Sequence, residues 1–362
     1  MDNRRKNGGP IFWLVVLLGV FQLVGCASSP GQSSTDRLAH SRDLQSRPRA
    51  VKVLIITMFG PEADSWTKAL AFPEEIAVPG LSPDYPLVKC TPSDICLMTT
   101  GMGHTNAAAS TMALVFSNKF DFSQTYFLIA GIAGVDPNVG TIGSAAWARY
   151  LIDYGLAHEI DSREMPVGWK AGYFGIHAAT PDSKPNLAYK TEVFQLDDSL
   201  LQMALTITKN VKLDDNDEAR AYRALYSESA ARGNPTVIQC DTAAGDTYWH
   251  GRQLGEWATQ WTTVLTDGKG RYCTTQQEDN ATFEALKRGD AAGLLDRRRV
   301  AVLRTGANFD RPHGGQSTYD SLKSKSGGFS AATNNLFIVG YPLVSDIVSN
   351  WPQWRVGVPK AP

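Results

Sequence analysis

The chain has 362 residues, a formal net charge of −1 and an ordinary apolar share of 43%. A near-neutral balance without a basic patch argues against nucleic acid as a partner. About 300 residues follow the polar N-terminal region, enough for one large domain or two small ones.

The first element read along the chain is a leader. Arg4, Arg5 and Lys6 precede an apolar stretch from Ile11 to Val24, which ends in Leu23-Val24-Gly25-Cys26. Basic, apolar and then small residues form the layout of an export signal. The stretch is short of the ~20 apolar residues that a spanning helix needs. Leu-x-Gly-Cys is the bacterial pattern for lipid attachment to the Cys thiol. Residues 1–25 are therefore expected to be a lipoprotein signal peptide, with Cys26 as the lipidated residue. The expected location is the cell envelope, anchored to a membrane outside the cytoplasm, on the periplasmic side of an outer membrane. Residues 26–50 are rich in Ser, Arg, Gln and Pro and read as a flexible tether. The folded domain is expected over 51–352, with a tail over 353–362.

Val51–Thr57 is a β-branched run that predicts a strand buried on both faces. Pro61, Glu62 and Asp64 mark the first turn of a helix after it. Ile95–Thr100 predicts a second strand. Gly101-Met102-Gly103 turns it into a helix over 105–117. Tyr126–Ala130 predicts a strand closed by Gly131–Gly134, and further strands are expected at 140–148 and 149–158. Helices follow near 198–208 and 218–232, then a strand at 237–240, a helix at 249–261 and a strand at 271–276. A helix over 281–288, a strand over 300–304 and a last helix over 343–348 complete the pattern. Strands alternating with helices predict an α/β fold, a mixed or mostly parallel sheet covered by helices.

Four cysteines remain after Cys26, and outside the cytoplasm an even set reads as disulfides. Three pairings exist. Cys90 and Cys96 flank the turn signal Thr91-Pro92-Ser93-Asp94 and suit a hairpin closure, which leaves Cys240 with Cys273. Without Cys-x-x-Cys or His-x-x-x-His spacing, no metal site is expected.

Strand, Gly-Met-Gly and helix at 97–117 would aim backbone N–H groups at an anion or a hydroxyl-rich ligand. Alone this signal is weak. It gains force as one of five ordered segments: Ile55–Glu62, Thr100–Ala108, Ala130–Gly134 with Val139–Ile142, Glu278–Ala281, and Val302–Asn308. With Asp246–Gly251 and Asn308–Pro312, the set resembles the nucleoside phosphorylase and nucleosidase superfamily, and most of all its exported branch, the purine nucleoside permease family. The resemblance covers about residues 51–351.

The resemblance implies a nucleoside phosphorylase-like domain whose central mixed sheet is flanked by helices. Its ligand would be a purine nucleoside held at the carboxyl ends of the strands. Glu62 falls where nucleosidases carry the acid that positions or activates a nucleophile. Glu278 falls where a Glu binds the ribose hydroxyls, an arrangement suited to a diol; Gly101, Gly103 and His104 would line the ribose. Gly131, Asn308 and Trp249 would face the base, with Tyr248 and Phe309 as further aromatic candidates. Asn308 stands where an Asp is frequent, so Asp310 is the candidate proton donor. No Arg lies between Val51 and Ala148, which argues against phosphate as a co-substrate. No cofactor is expected. The resemblance implies nucleoside capture and uptake, served by a separate channel and a homo-oligomeric assembly. The alternatives are N-glycosidic cleavage outside the cytoplasm, or an interaction protein that keeps only the fold.

Overall fold

The computed structural model describes residues 47–360. The leader, Cys26 and most of the tether lie outside these residues. Twelve strands form one mixed sheet. Its centre is the ten-residue strand Tyr126–Val135, flanked in parallel by Val53–Thr57 on one side and Val300–Phe309 on the other. Beyond Val53–Thr57, the strand Ile95–Thr99 is also parallel. Toward the C-terminal end of the central strand, Tyr272–Gln276 joins it antiparallel and leads to the parallel Asp241–Ala244.

The strand Val53–Thr57 is buried throughout because it feeds two cores. Leu54 and Ile56 pack on one face with Phe127, Leu114 and Phe283. Val53 and Ile55 pack on the other with Trp66, Leu128 and Leu336. The helices His104–Val115 and Asp279–Ala291 cover the first face, and Gly60–Thr67, Asp198–Thr208 and Gly328–Ser349 cover the second. Such double coverage produces the near-continuous apolar strand read from the sequence. The disulfides are Cys90–Cys96 and Cys240–Cys273, as the turn chemistry suggests.

Several boundaries differ from the expectation, each for a physical reason. Arg49–Ala50 pairs with Phe120–Asp121, and Arg49 bonds Glu74 and Asp94, so the fold begins before Val51. At the other end Trp354 is fully buried and its carbonyl accepts from Tyr126, so part of the expected tail belongs to the core. Residues 218–232 form two short helices, Asp217–Arg223 and Ser229–Arg232, rather than one. The helix expected at 343–348 spans the 22 residues Gly328–Ser349, carries Pro342 inside it and is followed by the short helix Trp351–Trp354. The central strand does not stop at Ala130. It continues to Val135 because the glycines there make room. A Cβ on Gly131 would lie 2.4 Å from Arg304 Nη1 and 2.9 Å from Glu62 Oε1.

Candidate functional site

The strands Val53–Thr57, Tyr126–Val135, Tyr272–Gln276 and Val300–Phe309 end at one cleft. Ligand clefts favour the carboxyl ends of strands in open α/β sheets. Glu62, Gly134, Trp249, Glu278, Asn308 and Asp310 line it.

Glu62 sits in the first turn of the helix Gly60–Thr67, positioned by Pro61. It is 1% exposed. Its two oxygens accept from the backbone N–H of Met58 and of Ile132, each at 2.7 Å. Burial pushes its carboxyl up to about 7, while the Arg304 charge and the two backbone donors pull the other way.

Glu278 lies at the entry of the helix Asp279–Ala291. Gly103 N–H donates to its Oε1 at 3.0 Å, and Arg304 Nη2 donates to its Oε2 at 3.3 Å. The Gly-Met-Gly turn thus meets Glu278, although it is separated from it by 175 positions in sequence. Gly101 and Gly103 have φ of +85° and +88°, which only glycine adopts without strain. His104 stands beside this turn, its backbone N–H on Asp246 Oδ1 at 2.7 Å. Gly101, Gly103, His104 and Gly131 are not lining residues of the cleft.

Arg304 was not given a role from the sequence, yet it organises the floor. It is fully buried, and every nitrogen of its guanidinium is engaged. Nε and Nη2 donate to Asp279, Nη1 donates to the Ile132 carbonyl at 3.0 Å, and Nη2 also reaches Gln276 and Glu278. Gln276 Oε1 in turn accepts from the backbone N–H of Glu278 and Asp279. The available signal is an arginine directly after the apolar run Val300–Leu303, an unusual place for an unpaired charge.

A register shift in the strand Val300–Phe309 places Ala307 as an extra residue and sets Asn308 opposite Gly134. Such bulges re-aim side chains next to sites. Asn308 accepts from the Tyr248 hydroxyl at 3.3 Å and donates to the Phe309 carbonyl. Phe309 itself turns away from the cleft and packs on Tyr226 in a separate cluster, so it is not a base-facing aromatic. Trp249 is 5% exposed and stacks on Tyr154 with centroids 5.0 Å apart. Tyr248 is exposed at the rim.

Asp310 is fully occupied. Tyr272 donates to its Oδ2 at 2.7 Å, and Arg311 reaches Oδ1 at 2.7 Å and Oδ2 at 3.0 Å. Arg311 also contacts Asp136 at 3.1 Å. Burial pushes the Asp310 carboxyl up to about 6 against the pull of Arg311. Among the described residues no three His, Cys, Asp or Glu side chains form a metal cage, and no helix is long and apolar enough to cross a membrane.

The fold is similar to that of the 5′-methylthioadenosine/S-adenosylhomocysteine nucleosidase of Neisseria meningitidis, with a TM-score of 0.51, 14% identity and coverage of 82% of this chain and 99% of that one. It is also similar to the futalosine hydrolase of Helicobacter pylori, with a TM-score of 0.50, 12% identity and coverage of 82% and 98%. At these identities the likeness concerns the fold. In sequence, the chain is 42% identical over 318 residues to a probable purine nucleoside permease of Schizosaccharomyces pombe, covering 84% of this chain and 90% of that protein. It is 39% identical over 326 residues to the purine nucleoside permease of Candida albicans, covering 88% and 80%. The family model described as purine nucleoside permease matches residues 50–359. The chain belongs to the purine nucleoside permease family.

Proposed function

We propose that the protein captures intact purine nucleosides in this cleft and serves their uptake, tethered to a membrane of the cell envelope through a lipid on Cys26. The observation that carries this reading is the state of the two side chains placed to protonate a leaving base. Asp310 has both oxygens occupied by Tyr272 and Arg311, and Asn308 beside it is an amide without an acidic proton. A leaving purine needs a proton, and neither group is free to give one. Glu278, held by Gly103 and Arg304, retains lone pairs for a ribose diol, and Trp249 and Tyr248 provide apolar surface near the base. Phosphate gains no support as a co-substrate, because the one arginine among the described lining residues is already committed to Asp279 and Ile132.

A second reading, N-glycosidic hydrolysis, is favoured by one feature. Glu62 is a buried carboxyl held near neutral pH at the cleft wall, the range in which a general base works. Equilibrium dialysis with inosine, guanosine and adenosine tests the first reading. Saturable retention of at least one nucleoside, lost in Glu278→Ala, supports it; equal affinity in that variant overturns the assignment of Glu278 to the ribose.

A further inference from the structure

The head of the helix His104–Val115 is a place where backbone N–H groups would ordinarily attract a phosphate. In this fold the protein's own carboxylates take those donors. Glu278 Oε1 accepts from Gly103 N–H at 3.0 Å, and Asp246 Oδ1 accepts from His104 N–H at 2.7 Å. Asp246 is held in turn through its carbonyl by the Gln277 side chain at 2.6 Å. A third acid, Asp153, lies 3.9 Å from His104 Nε2. Glycine at 103 permits the approach, since a Cβ there would come within 3.1 Å of Asp246 Oδ1.

The His104 ring lies between two of these acids, with Nδ1 3.6 Å from Asp246, and the two arginines nearby are already engaged. Arg304 is enclosed by Asp279, Glu278 and Gln276, and Arg311 by Asp310 and Asp136. With Glu62 added, the buried acids around the cleft outnumber these two arginines. One further group points to a ligand that carries a hydrogen-bond acceptor. Trp249 Nε1 is buried on the cleft wall without a partner, the single such polar atom among the described lining side chains. A neutral acceptor satisfies that donor without requiring a counter-ion.

We infer that Asp246 and Glu278 fill the backbone anion cradle from within, and that this makes the cleft selective for uncharged nucleosides over their phosphate esters and over inorganic phosphate, with Asp246 a specificity-determining residue. The inference rests on the nucleoside-binding reading above. An approaching phosphate would meet two carboxylates at the donors it needs, Glu278 buried and Asp246 exposed to solvent and therefore open to screening by salt. A nucleotide-derived ligand must then reach this protein after hydrolysis of its phosphate ester, so the reaction that supplies the cleft is a dephosphorylation.

The test is competitive binding of a nucleoside, its 5′-O-methyl ether and its 5′-monophosphate to the whole protein, in low and high salt. Asp246→Asn is compared in parallel, because the amide oxygen still accepts from His104 N–H while the charge is gone. The wild type is expected to prefer the nucleoside to the monophosphate by at least about thirtyfold in low salt, with the neutral ether close to the nucleoside. Raising the salt toward ~1 M should shrink that preference, as electrostatic exclusion requires and steric exclusion does not. Asp246→Asn should narrow the ratio by about threefold to tenfold, and inorganic phosphate should not compete in the wild type. A monophosphate that binds as well as the ether, or a ratio unmoved by both salt and Asp246→Asn, overturns the inference and leaves the nucleoside reading intact. Absence of binding by the nucleoside itself overturns the reading on which it rests.

Discussion

Arg304 Nη2 stands 3.3 Å from the Glu278 carboxylate and 2.5 Å from that of Asp279, with all three side chains buried. The proposed ribose-binding acid is thus held by a buried ion cluster as well as by the backbone N–H groups of Gln277 and Gly103. Removing one partner of such a cluster leaves an uncompensated charge. Arg304→Lys keeps the charge but loses the planar fork that reaches Asp279, Glu278 and Ile132 together. It should cost about 3 kcal/mol or more in urea unfolding and weaken nucleoside binding in the fraction that folds. A loss under ~1 kcal/mol would show that the cluster is not rigidly coupled to the floor.

Gly131 is required by the same cluster. A Cβ at this position falls 2.4 Å from Arg304 Nη1 and 2.9 Å from both Glu62 Oε1 and Met58 Sδ. Gly131→Ala should therefore destabilise the protein by about 1–3 kcal/mol through overpacking. Thermal melting of the variant beside the wild type measures it; an unchanged midpoint would mean that the floor relaxes freely.

Burial of Glu62 also has a pH consequence. Its folded carboxyl is raised from an ordinary 4.5 to about 7, so the folded state binds the proton more tightly than the unfolded chain. Its contribution to stability is complete below about pH 4.5 and is lost as pH rises through about 7. Asp310, raised to about 6, acts in the same direction. Glu62→Gln, which removes this titration, should flatten the dependence of unfolding free energy on pH between about 4.5 and 7. Parallel slopes for wild type and variant would contradict the buried assignment.

Asn308→Asp supplies an ionisable group at the cleft where the present amide accepts from Tyr248. If the absence of a free proton donor is what keeps the nucleoside intact, this variant should release free base at a slow, measurable rate. Chromatography of the incubated nucleoside reads this directly, and no release over prolonged incubation would mean that another barrier prevents cleavage.

Much of this scaffold was legible before folding. Val53–Thr57 and Ile95–Thr99 announce themselves because burial on both faces demands unbroken apolar runs. Glu62 follows from Pro61 at a helix entry, and the cysteine pairing follows from the turn between Cys90 and Cys96. The helix Gly328–Ser349 was only partly legible, because Pro342 and the polar Thr333-Asn334-Asn335 interrupt the apolar period that marks a helix. Asn335 is nonetheless fully buried, its side chain bound to the Gly143 carbonyl and to the backbone of Asp214. Arg304 was not legible as an organiser. Its main partner Asp279 lies 25 positions away and beside an equally plausible Glu278, and only the fold brings all three to one floor. Phe309 shows the opposite error: it neighbours Asn308 in sequence, but alternation along a strand sends the two side chains to opposite faces.

The most direct test of nucleoside capture is the fate of the ligand. Inosine, guanosine and adenosine are incubated with the folded domain, with and without phosphate, and the protein-bound and free fractions are identified by mass. The account predicts intact nucleoside retained on the protein, with no free base in either condition. Free base accumulating in proportion to protein without phosphate would contradict it and establish a hydrolase; free base with ribose 1-phosphate only when phosphate is present would contradict it and establish a phosphorylase.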